Sequence, residues 1–410
     1  MKKYFDGHVS AGFMSIYTSR TIARISMAMM GLFLPIFLYQ LFDKNIKVVM
    51  IYYIIDRMIY ILLLPLGAKY ALNKSGIKPA MIWSTAWIII YYLVFYVANK
   101  WLLLGDLPYG LSSGQVVGTF FFLSIFLLNM RRLLYWVPFH TDLAKFTDAK
   151  NRVRQLCLLE ASMMFLKAIM PVVAGWIIFT FDYNILFVFS IIIYFASAMP
   201  LIAMPKTDER FSWGYFKTIK ELFSKKRRKM VLANFGDGIE YIINIVIWPI
   251  FIFELLNGNY FQIGFLSSVI VVASIMLQFL VGRLGDGGKR DKILRAGIMF
   301  YSIGWVVKIF IQTAFQIFVV STYHNLARIF TRAPFDALYY EKAADEGHFV
   351  DEYTVIREMA LNFGSAVAFL LVMLIAPSLG MQWTFILGAI AALFMNFLIS
   401  DGKEKIKNEN

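Results

Sequence analysis

The sequence predicts an all-α membrane protein with twelve transmembrane helices in two pseudo-symmetric six-helix bundles. Composition is the first observation, because 60% of the 410 residues are hydrophobic and only 16% are charged. Soluble domains carry about a quarter charged residues. The second observation is that the apolar residues form blocks of the length that crosses a hydrocarbon core, about 20 residues per helix. The third is an internal repeat, in which short patterns of the first half recur in the second.

Each apolar block predicts one span. The spans are 17–42, 46–66, 79–98, 114–137, 156–180, 184–204, 231–255, 260–281, 293–312, 314–335, 355–376 and 382–400. They predict an N-terminal bundle over 1–205, a cytoplasmic basic linker over 206–230, a C-terminal bundle over 231–400 and a cytoplasmic tail over 401–410. Within the linker, Phe211, Phe216, Ile219 and Phe223 have roughly helical spacing, which is typical of an amphipathic helix at a membrane surface.

Basic residues concentrate in alternate loops. The net charge is +14, yet the loops on one predicted side of the membrane hold only Lys44, Lys47 and Lys100. Loop lysines and arginines accumulate on the cytoplasmic side of membrane proteins. We therefore predict cytoplasmic termini in a bacterial-type plasma (inner) membrane. The topology accounts for the basic excess, so we expect no nucleic-acid partner, and we expect a monomer surrounded by lipid.

The sequence gives no support for enzymatic or metal chemistry. The single cysteine, Cys157, can form no internal disulfide, and one thiol is too few ligands for a structural metal site. Serine-hydrolase, zinc-protease and nucleotide-binding motifs do not occur in the sequence. We expect no cofactor and no metal. The first residues contain no apolar segment with a cleavage site, so we expect no cleaved signal peptide.

Two patterns define the internal repeat. PIFLYQLF from Pro35 matches PIFIFELL from Pro249, an offset of 214 (249 − 35). The pattern NxxRxxxxxPF begins at Asn129 and again at Asn325, an offset of 196 (325 − 129), and a longer loop at 99–113 explains the difference. Repeats of six spans insert in the same orientation and are related by an axis along the membrane normal. This is the geometry of a two-bundle transporter.

The loop between the eighth and ninth predicted spans carries a motif. It reads GRLGDGGKR at 282–290 and includes Asp286, and the loop after the second span keeps Gly67 but has Ala71 in place of the aspartate. Together with the six-plus-six spans and the basic linker, this resembles the major facilitator superfamily, whose signature reads roughly GxLaDrxGrkxxl. The resemblance implies a secondary transporter in which spans one, four, seven and ten line the path and the Asp286 loop helps to close the cytoplasmic side.

Polar residues inside the predicted spans are the candidate substrate ligands, because they are costly in lipid and usually face the bundle interior. Asn129 and Asn325 fall near the midplane, and each is followed after three residues by an arginine on the same helix face. Lys167 is a candidate cavity cation. The substrate-binding candidates are Asn129, Asn325, Arg24, Lys167 and Arg57.

The embedded charges also allow pairing within a bundle. Arg132 can pair with Glu160, and Arg328 with Glu358, and we favour this over substrate contact for the two repeat arginines. The offset of 214 places Arg24 at the depth of Asp237 and Glu240. A pair that forms there in one conformation and separates in another would act as a gate.

Glu240 and Asp56 are the candidate proton carriers. Adjacent helix positions point about 100° apart, so Asp56 and Arg57 are expected to face different neighbours. Long side chains near a span end can extend to the interface, and this is our expectation for Arg20 and Lys308, with Asp237 also near the cytoplasmic boundary. His324 is expected to be a hydrogen-bonded structural residue.

These observations favour a secondary active transporter that moves a small polar organic solute by alternating access, with proton coupling. Embedded cations outnumber embedded acids only when Arg131 and Arg332 are counted. The charge count therefore favours an anionic solute only weakly. One alternative keeps the fold and exports a lipid, amphiphile or drug, because the spans are aromatic-rich and the 21 methionines can repack around apolar ligands. The other alternative is a non-transporting membrane receptor or assembly factor.

Overall fold

A computed structural model describes residues 10–106, 108, 110, 112–147, 152–207, 210–282, 290–345 and 350–399. These residues are almost entirely helical, and the described ranges contain no strand. A helix stands at each of the twelve predicted span positions. Among the described helices, ten are long and apolar enough to cross a membrane. The predicted all-α fold class is confirmed.

Six helices form the first half of the chain. They are α1 (Ala11–Leu41), α2 (Ile46–Tyr70), α3 (Ile77–Ala98), α4 (Ser113–Phe146), α5 (Arg152–Thr180) and α6 (Tyr183–Ile202). A short helix, α7 (Tyr215–Leu222), follows in the predicted linker. Phe216 of α7 and Phe223 directly after it are 84% and 75% exposed, as an apolar membrane-surface face requires. Phe211 was expected on this face, but it is buried, because both its backbone N–H and its C=O are bound by the Asn73 side chain.

The second half begins with an interrupted span. It consists of α8 (Arg228–Ile242), a π turn over Ile243–Ile247 and α9 (Trp248–Leu255). Pro249 is the second residue of α9 and cannot donate a backbone hydrogen bond, which accounts for the interruption. The remaining helices are α10 (Tyr260–Gly282), α11 (Arg290–Lys308), α12 (Ala314–Asp345), α13 (Val350–Leu379), α14 (Phe385–Phe394) and α15 (Asn396–Ile399).

The chain forms two compact units. The first contains residues 1–37 and 62–212, and the second contains 38–61 and 213–410. Residues 38–61, from the end of α1 and the start of α2, therefore group with the second half of the sequence. Their contacts explain this, since Tyr260 donates a hydrogen bond of 2.5 Å to Gln40 and Tyr53 stacks on Phe369 at 4.9 Å. The division into bundles at 1–205 and 231–400 stays a prediction.

The internal repeat is visible in backbone geometry. After α1, Asp43 and Lys44 have left-handed φ angles of 52° and 57°, and Asn257 and Gly258 after α9 have φ angles of 49° and 74°. The hydrogen bonds also correspond at the offset of 214, with Lys44 N–H donating to Tyr39 at 2.8 Å and Gly258 N–H donating to Phe253 at 2.9 Å. Both turns are Schellman-type helix ends. The repeat therefore extends beyond the matching letters.

A polar cap begins most helices on the predicted outer side. In each case a side-chain oxygen accepts a hydrogen bond from a backbone N–H two to three residues later, which satisfies a free donor of the first turn. These caps are Asn45 for α2, Ser112 for α4, Asp182 for α6, Asn259 for α10 and Thr313 for α12. Ser112 also forms a full capping box with Gln115.

Glycines allow α8 and α13 to touch in the second unit. A Cβ atom added at Gly238 would collide with the Leu361 carbonyl, and one added at Gly364 would collide with the Phe235 carbonyl. Membrane helices use small residues for this kind of close approach. The same close contact places Asp237 and Glu240 of α8 inside the unit.

Gly238→Ala is expected to destabilise the protein by about 1–3 kcal/mol, because the methyl group forces two helix backbones apart. The measurement is the thermal unfolding temperature in detergent. Gly31→Ala on α1 is the control, since a Cβ there meets nothing within 4 Å, and it is expected to be neutral or stabilising by about 1 kcal/mol. Equal unfolding temperatures for the two variants would contradict the packing argument.

Candidate functional site

Among the residues of the first unit whose side chains the structure describes, three arginines are buried. Arg20 and Arg24 of α1 are 6% and 7% exposed, and Arg131 of α4 is 6% exposed. Arg20 and Arg24 are one helical turn apart and share a face of α1. The expectation that Arg20 reaches the cytoplasmic interface is wrong, because its side chain is enclosed by the first unit.

Aromatic side chains of α4 enclose Arg20 and Arg131. Arg20 Nη1 donates a hydrogen bond of 3.1 Å to the Tyr135 hydroxyl, and its guanidinium lies 4.9 Å from the Trp136 ring centroid and 5.0 Å from that of Phe139. The Arg131 guanidinium lies 4.7 Å from the Tyr135 centroid. These are cation–π contacts, which hold a cation without supplying a counter-charge.

Arg24 contacts α5. Its guanidinium donates to the Leu159 carbonyl and lies 3.5 Å from Glu160, whose side chain is 61% exposed. Glu160 was expected to pair with Arg132, and Arg24 with Asp237 or Glu240. The structure gives the pair Arg24–Glu160 instead, because α1 and α5 bring these two side chains together within the first unit. Arg132 is half-buried.

The repeat asparagines have different surroundings. Asn129 is completely buried, and its amide donates to the Ile125 carbonyl of its own helix at 2.9 Å. Asn325 is half-buried, and its amide donates to Ser274 of α10 at 3.4 Å. Lys167 is exposed. A common substrate site for these residues stays a prediction.

Lys308 lies in an aromatic cage in the second unit. It is 1% exposed, and its Nζ atom lies 4.2 Å from the Trp248 ring centroid and 4.1 Å from the Trp305 centroid. Gly388 provides the room, since a Cβ there would collide with the Trp305 ring at 2.6 Å. The expectation that Lys308 extends to the outer boundary is therefore wrong, because the two indoles enclose its ammonium group.

His324 and Glu240 follow this cage toward the middle of the unit. His324 is 1% exposed and stacks on Tyr301 at 4.4 Å and against Trp305 at 4.5 Å. Neither ring nitrogen of His324 has a hydrogen-bond partner in the described part of the chain, so the expectation of a hydrogen-bonded structural histidine is wrong. The Tyr301 hydroxyl donates to Glu240, which is 1% exposed.

Ion pairs between α8 and α12 lie next to Glu240, toward the start of α8. Arg332 of α12 pairs with Asp237 and donates a hydrogen bond of 3.0 Å to Asp336. Asp237 is 2% exposed, so its side chain is enclosed by the second unit. Glu358 lies 3.5 Å from its neighbour Arg357, whereas Arg328, its expected partner, interacts electrostatically with Glu240. Helix α12 thus supplies the cations and α8 the carboxylates.

Asp56 and Arg57 contact each other, and the expectation that they face different neighbouring helices stays a prediction. Arg57 Nε lies 3.6 Å from the Asp56 carboxylate, and Arg57 Nη1 donates a hydrogen bond of 2.9 Å to Asn362 of α13. The long arginine stem bends back to its neighbour while its head reaches α13. Asp286 and most of the GRLGDGGKR motif lie outside the described residues.

Comparison with known proteins identifies the architecture. The family model of the Major Facilitator Superfamily matches residues 230–409. The crystal structure of a D-xylose–proton symporter superposes with a TM-score of 0.67 at 12% identity, over 93% of this chain and 95% of that one. A POT family transporter in complex with 5-aminolevulinic acid gives 0.68 at 12% identity, over 95% of each chain. No curated protein matches the sequence significantly.

The chain resembles the major facilitator superfamily, in sequence over residues 230–409 and in fold over nearly its whole length. The resemblance inferred from the spans, repeat and loop motif is confirmed without a subfamily. A major facilitator superfamily protein is an integral multi-pass membrane protein of the secondary-transporter class, and this class is not enzymatic. At 12% identity the two structures establish the fold alone and carry no information on this chain's solute.

Sequence reasoning missed several residues of this major facilitator superfamily fold. Tyr135, Tyr301 and Trp305 were not singled out, because aromatic residues are so frequent in these spans. Arg131 and Arg332 were counted only as charges. Helical spacing could have indicated two of these contacts. Tyr135 lies one turn after Arg131, and Asp336 lies one turn after Arg332, so each pair shares a helix face.

Asp237→Asn is expected to destabilise the protein by about 3 kcal/mol, because it leaves Arg332 without its buried counter-charge. Asp336→Asn removes the more exposed partner of the same arginine and is expected to cost about 1 kcal/mol or less. Thermal unfolding of both variants in detergent measures the difference. A larger loss for Asp336→Asn would show that the buried pair is not the stronger one.

Proposed function

We propose that the chain moves a small polar organic solute across the membrane by alternating access and couples this movement to protons through Glu240. The observation that carries the proposal is a polar interior in each unit of a major facilitator superfamily fold. Buried ionisable groups in membrane proteins are costly and typically serve a substrate or ion pathway. The proposed location is the plasma (inner) membrane with both termini in the cytoplasm, as loop charge favours.

Glu240 is the proposed proton carrier. It is nearly inaccessible and accepts a hydrogen bond from Tyr301, and it forms no ion pair with a described residue. Lys308 and Arg328 are near enough to interact with it electrostatically. A carboxylate that is held by a hydroxyl group, with cations nearby but not paired with it, can gain or lose a proton when a conformational change moves those groups. Asp56 is a weaker candidate, because Arg57 lies beside it.

The solute ligands are proposed from both repeats. Asn129 and Asn325 occupy corresponding positions of the two halves, and an amide can both donate and accept hydrogen bonds to a polar solute. Arg24, Lys167 and Arg57 remain proposed ligands, and Arg132, Arg328 and Glu358 remain proposed structural or gating residues. The superposition on a sugar symporter and on a transporter bound to an amino acid is compatible with a small polar solute and does not choose one.

Glu240→Gln is expected to abolish uphill accumulation driven by an imposed pH gradient while solute exchange across the membrane continues, because the amide cannot carry a proton. The measurement uses the purified protein in vesicles with a labelled sugar, amino acid, dicarboxylate and sugar phosphate. Glu254→Gln is the matched control, since Glu254 is an exposed carboxylate of the same predicted span, and it is expected to retain coupling.

The same assay can refute each part of the proposal. Accumulation by Glu240→Gln equal to that of the unsubstituted protein would remove Glu240 as the carrier. Accumulation that ignores the pH gradient in the unsubstituted protein would remove proton coupling. Flux of lipid-like molecules alone would favour the amphiphile exporter, and binding without any flux would favour a receptor or assembly factor.

A further inference from the structure

We propose that the first unit binds an anionic group of the transported solute, a carboxylate or a phosphate, through Arg20, Arg24 and Arg131. This inference rests on the proposed transport function and names the solute class, which the sequence left open. Four observations carry it: the sign of the buried charges, the closeness of the three arginines, the neutrality of their surroundings and their enclosure.

The two units differ in the sign of their buried charges. In the described part of the first unit, the buried ionised side chains are Arg20, Arg24, Arg131 and Asp142. In the second unit the corresponding set is Asp56, Arg57, Arg227, Asp237, Glu240, Lys308 and Glu352, which contains four acids and three bases. The second unit is thus nearly balanced, whereas the first has three bases and one acid.

Asp142 does not balance the arginines. It follows Arg131 by eleven residues on α4, which is about 16 Å along the helix axis. Its carboxylate accepts a hydrogen bond from Thr207. Among the described residues, Glu160 is the carboxylate that forms an ion pair with the cluster, and its side chain is 61% exposed, so solvent weakens its effect.

The three arginines converge on shared side chains. Arg20 donates to the Tyr135 hydroxyl, while Arg131 lies over the ring of the same tyrosine. Arg131 and Arg20 both interact electrostatically with Tyr194 of α6. Arg20 and Arg24 repel each other from one turn apart, and like charges at this spacing destabilise a helix. The cluster therefore has a cost that an anion would relieve.

Neutral groups supply most of the cluster's contacts. They are aromatic rings, the Tyr135 hydroxyl and the Leu159 carbonyl. The Nε atoms of Arg20 and Arg24 are buried without a hydrogen-bond partner in the described part of the chain. A buried donor without a partner is costly, especially on a charged group. Carboxylates and phosphates take two parallel guanidinium hydrogen bonds and would satisfy these donors.

Enclosure favours a soluble solute over a lipid headgroup. At 6% or 7% exposure the three arginines lie inside the unit, whereas a headgroup binds basic residues at the membrane surface. A small anion that enters the interior can reach them. Lipid binding is treated as a competing outcome of the experiment.

The test is thermal unfolding of the full chain in phosphatidylcholine nanodiscs. Succinate, inorganic phosphate and glycerol 3-phosphate are added singly and compared with chloride at equal ionic strength and with neutral glycerol. At least one oxyanion is expected to raise the unfolding temperature, and Arg20→Gln and Arg131→Gln are each expected to weaken its apparent affinity by tenfold or more. Arg227→Gln is the matched control, because Arg227 is equally buried but paired with Glu221 and has no proposed role in solute binding, and it is expected to keep the oxyanion effect.

A second readout needs no ligand. Because the cluster carries more buried positive than negative charge, Arg131→Gln without oxyanion is expected to unfold at the same or a higher temperature than the unsubstituted protein. Arg227→Gln, which breaks the pair with Glu221, is expected to unfold at a lower temperature. A lower temperature for Arg131→Gln that Arg131→Lys restores would show that its charge is structural and would overturn the inference. If Arg131→Gln does not fold, this charge is likewise structural and the inference is overturned.

Other results separate the inference from the proposed function. It is overturned if no oxyanion acts more strongly than chloride, if the arginine variants keep the full effect, or if only nanodiscs containing phosphatidylglycerol stabilise the protein. Uphill transport of a neutral sugar without oxyanion binding would leave the proposed transport intact and remove the anion site. Arginine-dependent oxyanion binding without flux in vesicles would support the anion site and remove transport.

Discussion

A charged side chain inside a membrane protein needs a partner within the protein, because lipid supplies neither water nor counter-ions. This constraint organises the polar interior of the second unit. Asp237 is matched by Arg332, and Asp56 by Arg57. Lys308 is held by two indole rings. Each of these pairings depends on close helix packing. The glycines of α8 and α13 permit that packing where the carboxylates of α8 lie inside the second unit.

The second unit arranges these groups along its length. From the end of α11 inward, Lys308 is followed by the Trp305 ring, His324, Tyr301 and Glu240, and α12 continues with Arg328 and Arg332. Only part of this series consists of ion pairs. In the middle of the series, His324 is held by aromatic contacts and Glu240 by the Tyr301 hydroxyl, so neither is tied to a permanent ion pair. A group that must change protonation during a cycle is better served by such neutral neighbours than by a permanent pair.

The sequence predicts the fold well, because local sequence features determine which segments span a membrane and in which direction. Span length, loop charge and the repeated patterns can all be read directly from the sequence. The structure then adds the paired turns at Asp43 and Asn257 to the repeat. The partners of embedded charges are less accessible, because they depend on helix rotation and packing. Arg24 contacts Glu160 on α5, and Asp237 contacts Arg332 on α12. Spacing in one helix could not reveal either pair.

The difference between the units gives the proposed cycle an electrostatic logic. Three buried arginines in the first unit favour a negative charge, and Glu240 in the second unit can take up a positive one as a proton. An anion carried alone would move against a negative-inside membrane potential, at a cost of about 2.3 kcal/mol per charge for each 100 mV. A proton carried with a monovalent anion cancels that charge. Coupling and anion recognition therefore support each other, because the proton makes accumulation of an anion energetically possible.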